Sequence, residues 1–155
     1  MLELGRSGGH GVGSGVRPVL SGDAVVATVR ASNWKEAATA AVGDREWVFT
    51  RRRGRLTGRW ASDPETAERF CAHRPSRWKD LWTLQLEDTT LHMEHASRWK
   101  GTHRYLRDGR PVAESGRTGW GNRPTLAAQQ LPVEHQVFLL WVELLLIRRS
   151  AAAAS

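Results

Sequence analysis

The 155-residue sequence contains a single cysteine, Cys71. One cysteine excludes an intramolecular disulfide framework and any zinc site made of cysteines alone. The segment from Met1 to Ser7 lacks the charged-then-apolar pattern of a secretory signal, so we expect a cytoplasmic location. Lysine occurs only at positions 35, 79 and 100, and the net charge of +7 therefore comes mainly from arginine.

This excess of arginine permits several kinds of partner. A strongly basic chain can bind nucleic acid, an anionic membrane surface or an acidic protein. The abundance of arginine, alanine and glycine would also follow from a GC-rich coding bias. Composition alone leaves open whether the positive charge serves a function.

Long apolar runs are absent except near the C-terminus. From Val137 to Ile147 every residue is apolar except Glu143. A membrane-spanning helix needs about 20 mostly apolar residues, and a carboxylate in its middle is costly, so we do not expect a membrane anchor. The leucines favour a helix and Pro132 suits its first turn. The sequence predicts this helix over residues 132–149.

The predicted helix carries apolar side chains on every side, which is typical of a helix buried in protein. The rest of the chain must then enclose a cylinder about 10–12 Å across. A curved antiparallel sheet is one such wall, and a bundle of helices is the alternative. Gln136, Glu143 and Ser150 fall on one line of the helix, which could face a gap in the wall. If Glu143 is enclosed instead, it needs a partner such as an arginine or a tryptophan indole.

Short segments with strand character favour the antiparallel sheet. Arg53-Gly54 and Asp108-Gly109 predict two-residue hairpin turns, and short connections join antiparallel neighbours. Asp63-Pro64-Glu65 predicts the start of one short helix near residues 63–73. The fold class is therefore mainly β, an antiparallel barrel or strongly curved sheet that encloses the C-terminal helix. The predicted strands are 24–30, 35–41, 45–53, 55–61, 81–86, 91–95, 102–107, 110–115 and 125–128.

We expect one domain at this length. Residues 1–18 are rich in glycine and predict a flexible tail. Residues 19–149 form the barrel-like domain, and residues 150–155 are expected to be a disordered tail. The glycines from Gly11 to Gly15 do not predict a nucleotide site, because no predicted strand precedes them and no predicted helix follows them.

The C-terminal part of the chain follows an order of elements known from one superfamily. A predicted strand, turn and strand run from Tyr105 to Ala113, and a further aromatic and basic strand region and the apolar helix follow them. This order resembles the tubby C-terminal-like superfamily, in particular its LURP-one-related and phospholipid-scramblase-like branches, over roughly residues 24–149. The resemblance implies an antiparallel barrel around one central hydrophobic helix.

The sequence also departs from that superfamily. It is short for the usual number of strands, which leaves the closure of the barrel open. It has no acidic calcium loop and no cysteine cluster for acylation, so calcium-dependent lipid scrambling is not expected. The phosphoinositide-binding residues of tubby proteins have no counterpart that can be assigned to positions in this chain.

The densest basic segment surrounds a predicted hairpin tip, where Arg51, Arg53 and Arg55 flank Gly54. Guanidinium groups bind phosphate through paired hydrogen bonds, so these side chains could hold a phosphate or a lipid head group. A solvated sheet edge that resists aggregation is the alternative.

A second basic candidate involves tryptophan, of which the chain has eight. Two triplets, Arg77-Trp78-Lys79 and Arg98-Trp99-Lys100, place an indole between two cations. Basic residues interleaved with aromatic ones suit an anionic membrane interface or stacking on single-stranded nucleic acid. Tryptophans that cap the barrel ends are the alternative. We select Arg98, Trp99 and Lys100 as a second candidate binding patch.

Two further groups of residues do not predict a metal site or a catalytic site. On a strand, His92 and Glu94 share one face and His95 points to the other, so a metal site would need His103 to fall in register. Cys71 and His73, in the predicted helix, point in different directions, which does not favour a nucleophile with its base.

The sequence therefore predicts a non-enzymatic binding module without a cofactor or a metal. We expect it to be cytoplasmic and peripheral at an anionic lipid or membrane surface. A nucleic-acid-binding protein is one alternative, and an interaction domain with no small-molecule ligand is another.

Overall fold

The protein is described by a computed structural model that covers residues 1–75 and 82–154. In these residues twelve strands form one closed antiparallel barrel, and a helix, α1 (Val133–Ala154), follows them. A single 3-10 turn at Gly9–Gly11 lies between the first two strands. The strands are β1 (Leu2–Leu4), β2 (Arg17–Ser21), β3 (Ala24–Ala31), β4 (Ala37–Val42), β5 (Arg45–Arg52), β6 (Arg55–Trp60), β7 (Phe70–His73), β8 (Thr83–Leu86), β9 (Thr89–Ser97), β10 (Thr102–Arg107), β11 (Arg110–Thr118) and β12 (Arg123–Ala128).

Each strand pairs with the next one along the chain, and β12 closes the barrel by pairing with β1. In this closing pair Leu2 lies opposite Leu126 and Glu3 lies opposite Thr125. Full closure leaves no unpaired strand edge in the barrel. The predicted antiparallel barrel is confirmed, and the sheet is closed rather than open.

Helix α1 passes through the barrel and is enclosed on all sides. Every residue from Val137 to Leu145 is buried. Inward side chains of the strands pack against it, for example Phe49, whose ring centroid lies 5.4 Å from that of Trp141. Leu140 is 0% exposed and Leu144 is 6% exposed, so the expected burial of the central helix is confirmed.

The start of α1 follows the predicted signals. The backbone amide of Gln136 donates to the carbonyl of Pro132 at 3.1 Å, and the Gln136 side chain donates to the carbonyl of Leu131 at 2.8 Å. Glu134 in the first turn faces the positive end of the helix dipole. At its other end the helix continues to Ala154, so the expected disordered tail at residues 150–155 is corrected as far as residue 154.

The short helix predicted near residues 63–73 is wrong. Residues 61–69 form a loop, and Phe70–His73 is strand β7, paired with β6 and β8. The Asp63 carboxylate does not cap a helix. It accepts hydrogen bonds from the Trp60 backbone amide at 3.0 Å and from the Arg69 side chain at 2.6 Å. Without β7 the barrel would have a gap, so pairing across the sheet overrides the local helix signal.

The expected flexible tail at residues 1–18 also differs from the structure. Leu2 and Leu4 of β1 are buried in the core, while Glu3 points outward and pairs with Arg123 at 2.8 Å. Strand β2 begins at Arg17. The alternation over three residues was too short to recognise among the glycines that follow it.

The other predicted strands have counterparts with shifted ends. Predicted strand 35–41 corresponds to strand β4, and both predicted hairpin turns join adjacent strands. Predicted strand 81–86 corresponds to β8, and its first residue, Leu81, lies outside the described residues, as does the triplet at 77–79. Among residues 1–75 and 82–154, no helix combines the length and the apolar content that a bilayer crossing requires.

Replacing Leu140 with alanine should lower the free energy of unfolding by about 2–5 kcal/mol, because a closed barrel wall cannot collapse into the cavity. Equilibrium urea unfolding measures this change. The control is Val133→Ala in the same helix, which is 38% exposed and should change stability by less than about 0.5 kcal/mol. An unchanged unfolding midpoint for Leu140→Ala would contradict a central helix.

Candidate binding surface at the basic end of the barrel

The alternating direction of the strands divides the described loops between two ends of the barrel. We name as the basic end the one that contains loops 32–36, 53–54, 98–101 and 119–122 together with the last turn of α1. In these loops Glu36 is the only carboxylate, beside Lys35, Arg53, Arg98 and Lys100. The turns at the opposite end carry the acidic residues Asp23, Asp44, Glu87, Asp88 and Asp108.

The predicted hairpin tip lies at the basic end between β5 and β6. Arg53 and Gly54 both have positive φ angles, 54° and 78°, as a tight two-residue turn requires. Arg51 pairs with Glu36 at 2.9 Å, and Arg55 contacts Glu68 at 2.7 Å and the Cys71 sulfur at 2.8 Å. Arg53 is exposed and has no ion pair with a described residue. Of the three predicted arginines, Arg53 is therefore the one whose charge is uncompensated.

The second predicted patch lies at the same end, in the loop between β9 and β10. Trp99 is 96% exposed, and Lys100 is exposed beside it. Arg98 lines a cavity of about 370 Å³, which we name the mouth cavity. Arg51, Arg53 and Arg55 line a second cavity of about 700 Å³. The two cavities share Arg74, Trp82 and Arg149, so the structure brings both predicted patches to one continuous basic surface.

A repeated local sequence that is not among the predicted patches presents tryptophan at this end. Ser32-Asn33-Trp34-Lys35 and Ser97-Arg98-Trp99-Lys100 share the pattern Ser-X-Trp-Lys. In both loops the serine hydroxyl accepts a hydrogen bond at 3.1 Å from the backbone amide of the lysine. Trp34 is 94% exposed, and Trp99 is likewise exposed. The shared serine bond fixes the same turn twice and directs each indole into solvent.

The pattern occurs a third time in the sequence, at Ser76-Arg77-Trp78-Lys79, which lies outside the described residues. The three copies contain every lysine of the chain. Attention to the rare residue type, lysine, would have revealed the pattern. The Arg-Trp-Lys triplets do not include Trp34, because Asn33 and not an arginine precedes it.

Another exposed tryptophan lies in the adjoining loop between β11 and β12. Trp120 is 88% exposed, and its carbonyl accepts a hydrogen bond from Arg123 at 3.3 Å. Gly119 and Gly121 on either side have positive φ angles. Among the described tryptophans, three are almost completely exposed: Trp34, Trp99 and Trp120. We call the loops that carry them, 32–36, 98–101 and 119–122, the tryptophan loops. These three tryptophans do not cap the barrel ends, so the alternative role for the exposed tryptophans is wrong for them.

The buried Glu143 of α1 lies beneath the mouth cavity. Its carboxylate accepts a hydrogen bond from the Tyr105 hydroxyl at 2.8 Å, and His103 Nδ1 lies 3.0 Å from each of its oxygens. Glu143 is 2% exposed, so the expected need for a partner is met. The partners are a tyrosine and a histidine, however, and not the arginine or tryptophan that we expected. Burial, and then the negative charge of Glu143, raises the pKa of Tyr105 well above its ordinary value.

Side chains of strand β9 near this site alternate between the two faces of the sheet. Glu94 points outward and pairs with Arg104 at 3.3 Å. His95 lies opposite His103 in the register of β9 and β10, and their ring centroids are 5.7 Å apart. The described residues contain no group of three or more His, Cys, Asp or Glu that could hold a metal ion.

Cys71 has surroundings different from those expected. It lies with His73 on strand β7 and not on a helix. The Arg55 Nε and a terminal nitrogen of the same guanidinium lie 3.1 Å and 2.8 Å from its sulfur. The Cys71 contacts are therefore those of a buried thiol beside an arginine, not of a cysteine beside a base.

Glu36 fixes the C-terminal part of α1 against the loops of the basic end through Arg149. Its oxygens accept from Arg149 at 2.6 Å and 2.7 Å and from Arg51 at 2.9 Å. The Arg149 hydrogen bonds, and then the charges of both arginines, hold the pKa of Glu36 below its ordinary value. This carboxylate compensates two arginines and Glu68 compensates Arg55, whereas Arg53, Arg98 and Lys100 have no ion pair with a described residue.

Comparison with protein-family models, with curated proteins and with solved structures finds no significant match to this chain.

Tyr105 is the only tyrosine in the chain, so an absorbance titration reports its ionisation alone. We expect no phenolate signal in the folded protein near pH 10, the ordinary tyrosine value, because the folded-state pKa is raised. Above that pH the unfolded chain loses this proton and the folded chain keeps it, so stability should fall as the pH rises. Protein unfolded in urea is the control and should titrate near pH 10. A phenolate signal there with intact folded-state fluorescence would contradict the buried contact with Glu143.

Proposed function

We propose that this protein is a non-enzymatic binding module that attaches to an anionic lipid surface through its basic end. The observation that carries the proposal is the repeated Ser-X-Trp-Lys turn, which exposes Trp34 and Trp99 next to Lys35 and Lys100. An exposed indole is costly in water, and its amphipathic ring is favoured at the headgroup level of a membrane. Neighbouring cations are attracted to anionic headgroups.

The arrangement of the tryptophan loops supports a flat partner. In the order of strands around the barrel, the loop with Trp34 lies on the side opposite the loop with Trp99, and Trp120 lies in the loop next to Trp99. Three contacts spread around one end of a barrel can touch a plane at the same time. A single nucleic-acid strand would instead follow a continuous groove with successive aromatic rings. We therefore favour a lipid surface over nucleic acid.

The distribution of charge also supports a functional role. A coding bias towards arginine would place basic residues at both ends of the barrel without distinction. The short turns opposite the basic end carry Asp or Glu at their tips, for example Asp44 and Asp108, although Arg107 and Arg110 flank the second of these. Such a separation orients the molecule in the field of a negative surface. Because the cytoplasmic leaflet supplies such a surface, the proposal includes a cytoplasmic location at the membrane periphery.

We also propose that the chain is related to the tubby C-terminal-like superfamily. The support is architectural, since an antiparallel barrel around one C-terminal helix is what that resemblance implies. The order of elements from β3 to α1 supports it further.

If the basic end is attracted to anionic lipid, the loss of vesicle binding depends on which arginines are replaced and not only on how many are replaced. Each basic residue near an anionic surface contributes about 1 kcal/mol, so replacing Arg53 and Arg98 with serine should weaken binding roughly 30-fold. Co-sedimentation with vesicles of equal parts phosphatidylcholine and phosphatidylserine measures the change. The matched control, Arg107→Ser with Arg110→Ser, removes the same charge at the opposite end. Equal losses in the two double variants would show that only net charge matters.

The apolar part predicts that attachment also depends on the tryptophan loops. Burying about 50 Å² of each ring contributes about 1 kcal/mol, so replacing Trp34, Trp99 and Trp120 with serine should weaken binding about 100-fold. Binding is measured at high ionic strength, because salt screens the attraction between the arginines and the headgroups. The remaining binding then reports the contribution of the tryptophans. The control is Val25→Ser with Val26→Ser, two exposed apolar residues near the other end.

A labelled single-stranded oligonucleotide tests the alternative partner in the same assay. Binding to the oligonucleotide with a steep dependence on salt, without binding to the vesicles, would replace a lipid surface by nucleic acid. Absence of vesicle binding by the wild-type protein would refute the proposed function.

A further inference from the structure

The mouth cavity is a concave site within the basic end. Arg98 and Gly101 of the Trp99 loop line it, but the exposed indoles of the tryptophan loops do not. It has a volume of about 370 Å³ and lies between the last turns of α1 and the ends of strands β9 to β11. Sites for small ligands are clefts of about 300–1,000 Å³, so this one suits a small group. The described lining contains no carboxylate. Its cationic side chains are Arg74, Arg98, Arg117 and Arg149.

A histidine forms part of the inner wall of this cavity. His95 faces the barrel interior on β9, two residues beyond the buried Met93. Both of its ring nitrogens are buried, and neither has a hydrogen-bond partner among the described residues. A buried polar atom without a hydrogen-bond partner lowers the stability of the protein. A ligand that supplies the missing partner would therefore be favoured at this site. Because both nitrogens are shielded from solvent and the ring lines the mouth cavity, a small shift of the ring would bring one of them to an acceptor oxygen of a ligand there.

A second histidine beside it is already oriented. His103 Nδ1 faces the Glu143 carboxylate, which can only accept a hydrogen bond, so Nδ1 carries the proton. The other ring nitrogen, Nε2, remains for a ligand, and it donates when the imidazole is protonated. His103 also lines the mouth cavity. Glu143 therefore fixes the orientation of this imidazole and adds a negative charge beneath it without lining the site.

Several arginines of the cavity are uncompensated. Arg149 is paired with Glu36, but Arg74, Arg98 and Arg117 have no ion pair with a described carboxylate. The Arg117 guanidinium reaches the Gly101 carbonyl at 3.4 Å, and that of Arg74 lies 5.2 Å from the centre of the Trp82 ring. Guanidinium groups in this number attract a ligand with more than one negative charge.

We propose that the mouth cavity binds a phosphate monoester group. Such a group carries nearly two negative charges near neutral pH and presents three terminal oxygens. It can accept from the arginines and from the imidazoles of His95 and His103 together. A phosphate diester carries one charge and has two terminal oxygens, so it satisfies fewer of these donors. The group can belong to a soluble compound or to a lipid head, and in the second case the inference rests on the proposed function.

The first experiment uses soluble probes and does not depend on membranes. Titration calorimetry of the full-length protein at constant ionic strength should show saturable binding of phenyl phosphate, a monoester. Diphenyl phosphate, the matched diester, should bind at least about tenfold more weakly, because it offers fewer charge-assisted hydrogen bonds. Arg117→Gln and His95→Phe should each weaken phenyl phosphate binding by a similar factor.

Two further variants keep this test interpretable. Arg74 is exposed, so Arg74→Gln should fold normally and still weaken phenyl phosphate binding, even if His95→Phe destabilises the barrel. Arg110→Gln at the opposite end removes the same charge and should leave binding unchanged. Non-saturable binding, or equal weakening by Arg74→Gln and Arg110→Gln, would overturn the proposed site.

The second experiment distinguishes the two sources of the group. Vesicles that contain phosphatidic acid, a monoester, are compared with vesicles of the same net charge that contain phosphatidylserine, a diester. Tighter binding to phosphatidic acid that disappears in Arg74→Gln supports a lipid head group. Saturable phenyl phosphate binding without this lipid preference supports a soluble ligand. If phenyl phosphate does not bind but both vesicles do, the cavity site is refuted and the surface attachment stands.

Discussion

Burial of an apolar helix on all sides is the constraint on which the rest of the structure depends. A helix with one apolar stripe can lie against an open sheet, but α1 is buried through every position from Val137 to Leu145. Such a segment loses stability wherever water reaches it, so the wall must close. Closure explains why short strands such as β1 and β7 are recruited. Each of them fills a place that would otherwise admit water to the helix.

Closure by successive antiparallel neighbours has a consequence for function. Because the chain reverses at every turn, every second loop reaches the same end of the barrel. Residues far apart in the sequence, such as Trp34 and Trp120, are thereby gathered on one surface. The helix contributes as well, since it ends among these loops and is fixed there by Arg149 and Glu36. The fold thus assembles one surface from many separate loops.

The sequence predicted those parts of the fold that depend on strong local patterns. The apolar run identified the central helix, and dipeptides with glycine identified two hairpins. Prediction failed where local signals were weak or in conflict with pairing across the sheet. Asp63-Pro64-Glu65 has the composition of a helix start, yet the Asp63 carboxylate binds Trp60 and Arg69, and the chain enters β7. Leu2–Leu4 is too short to show a period without its partner strands.

The candidate site could be predicted only in part, for a related reason. Arg51, Arg53 and Arg55 are adjacent in the sequence, and their common position at a hairpin tip follows from local geometry. The convergence of His95, His103 and Glu143 depends on the pairing register of β9 with β10 and on the rotation of α1 inside the barrel. Neither the pairing register nor the rotation of the helix can be inferred from a local sequence pattern.

Glu143, the one buried carboxylate among the described residues, links the core to the surface. Glu143 belongs to the helix that the barrel encloses, and its enclosure is tolerated because Tyr105 and His103 satisfy it. The same contact determines which nitrogen of His103 faces the mouth cavity. A change in the helix that moved Glu143 would therefore alter the cavity without touching any arginine. For this reason the orientation of His103 in the mouth cavity depends on a hydrogen bond of the core, whereas the turns that expose Trp34 and Trp99 depend on local serine bonds.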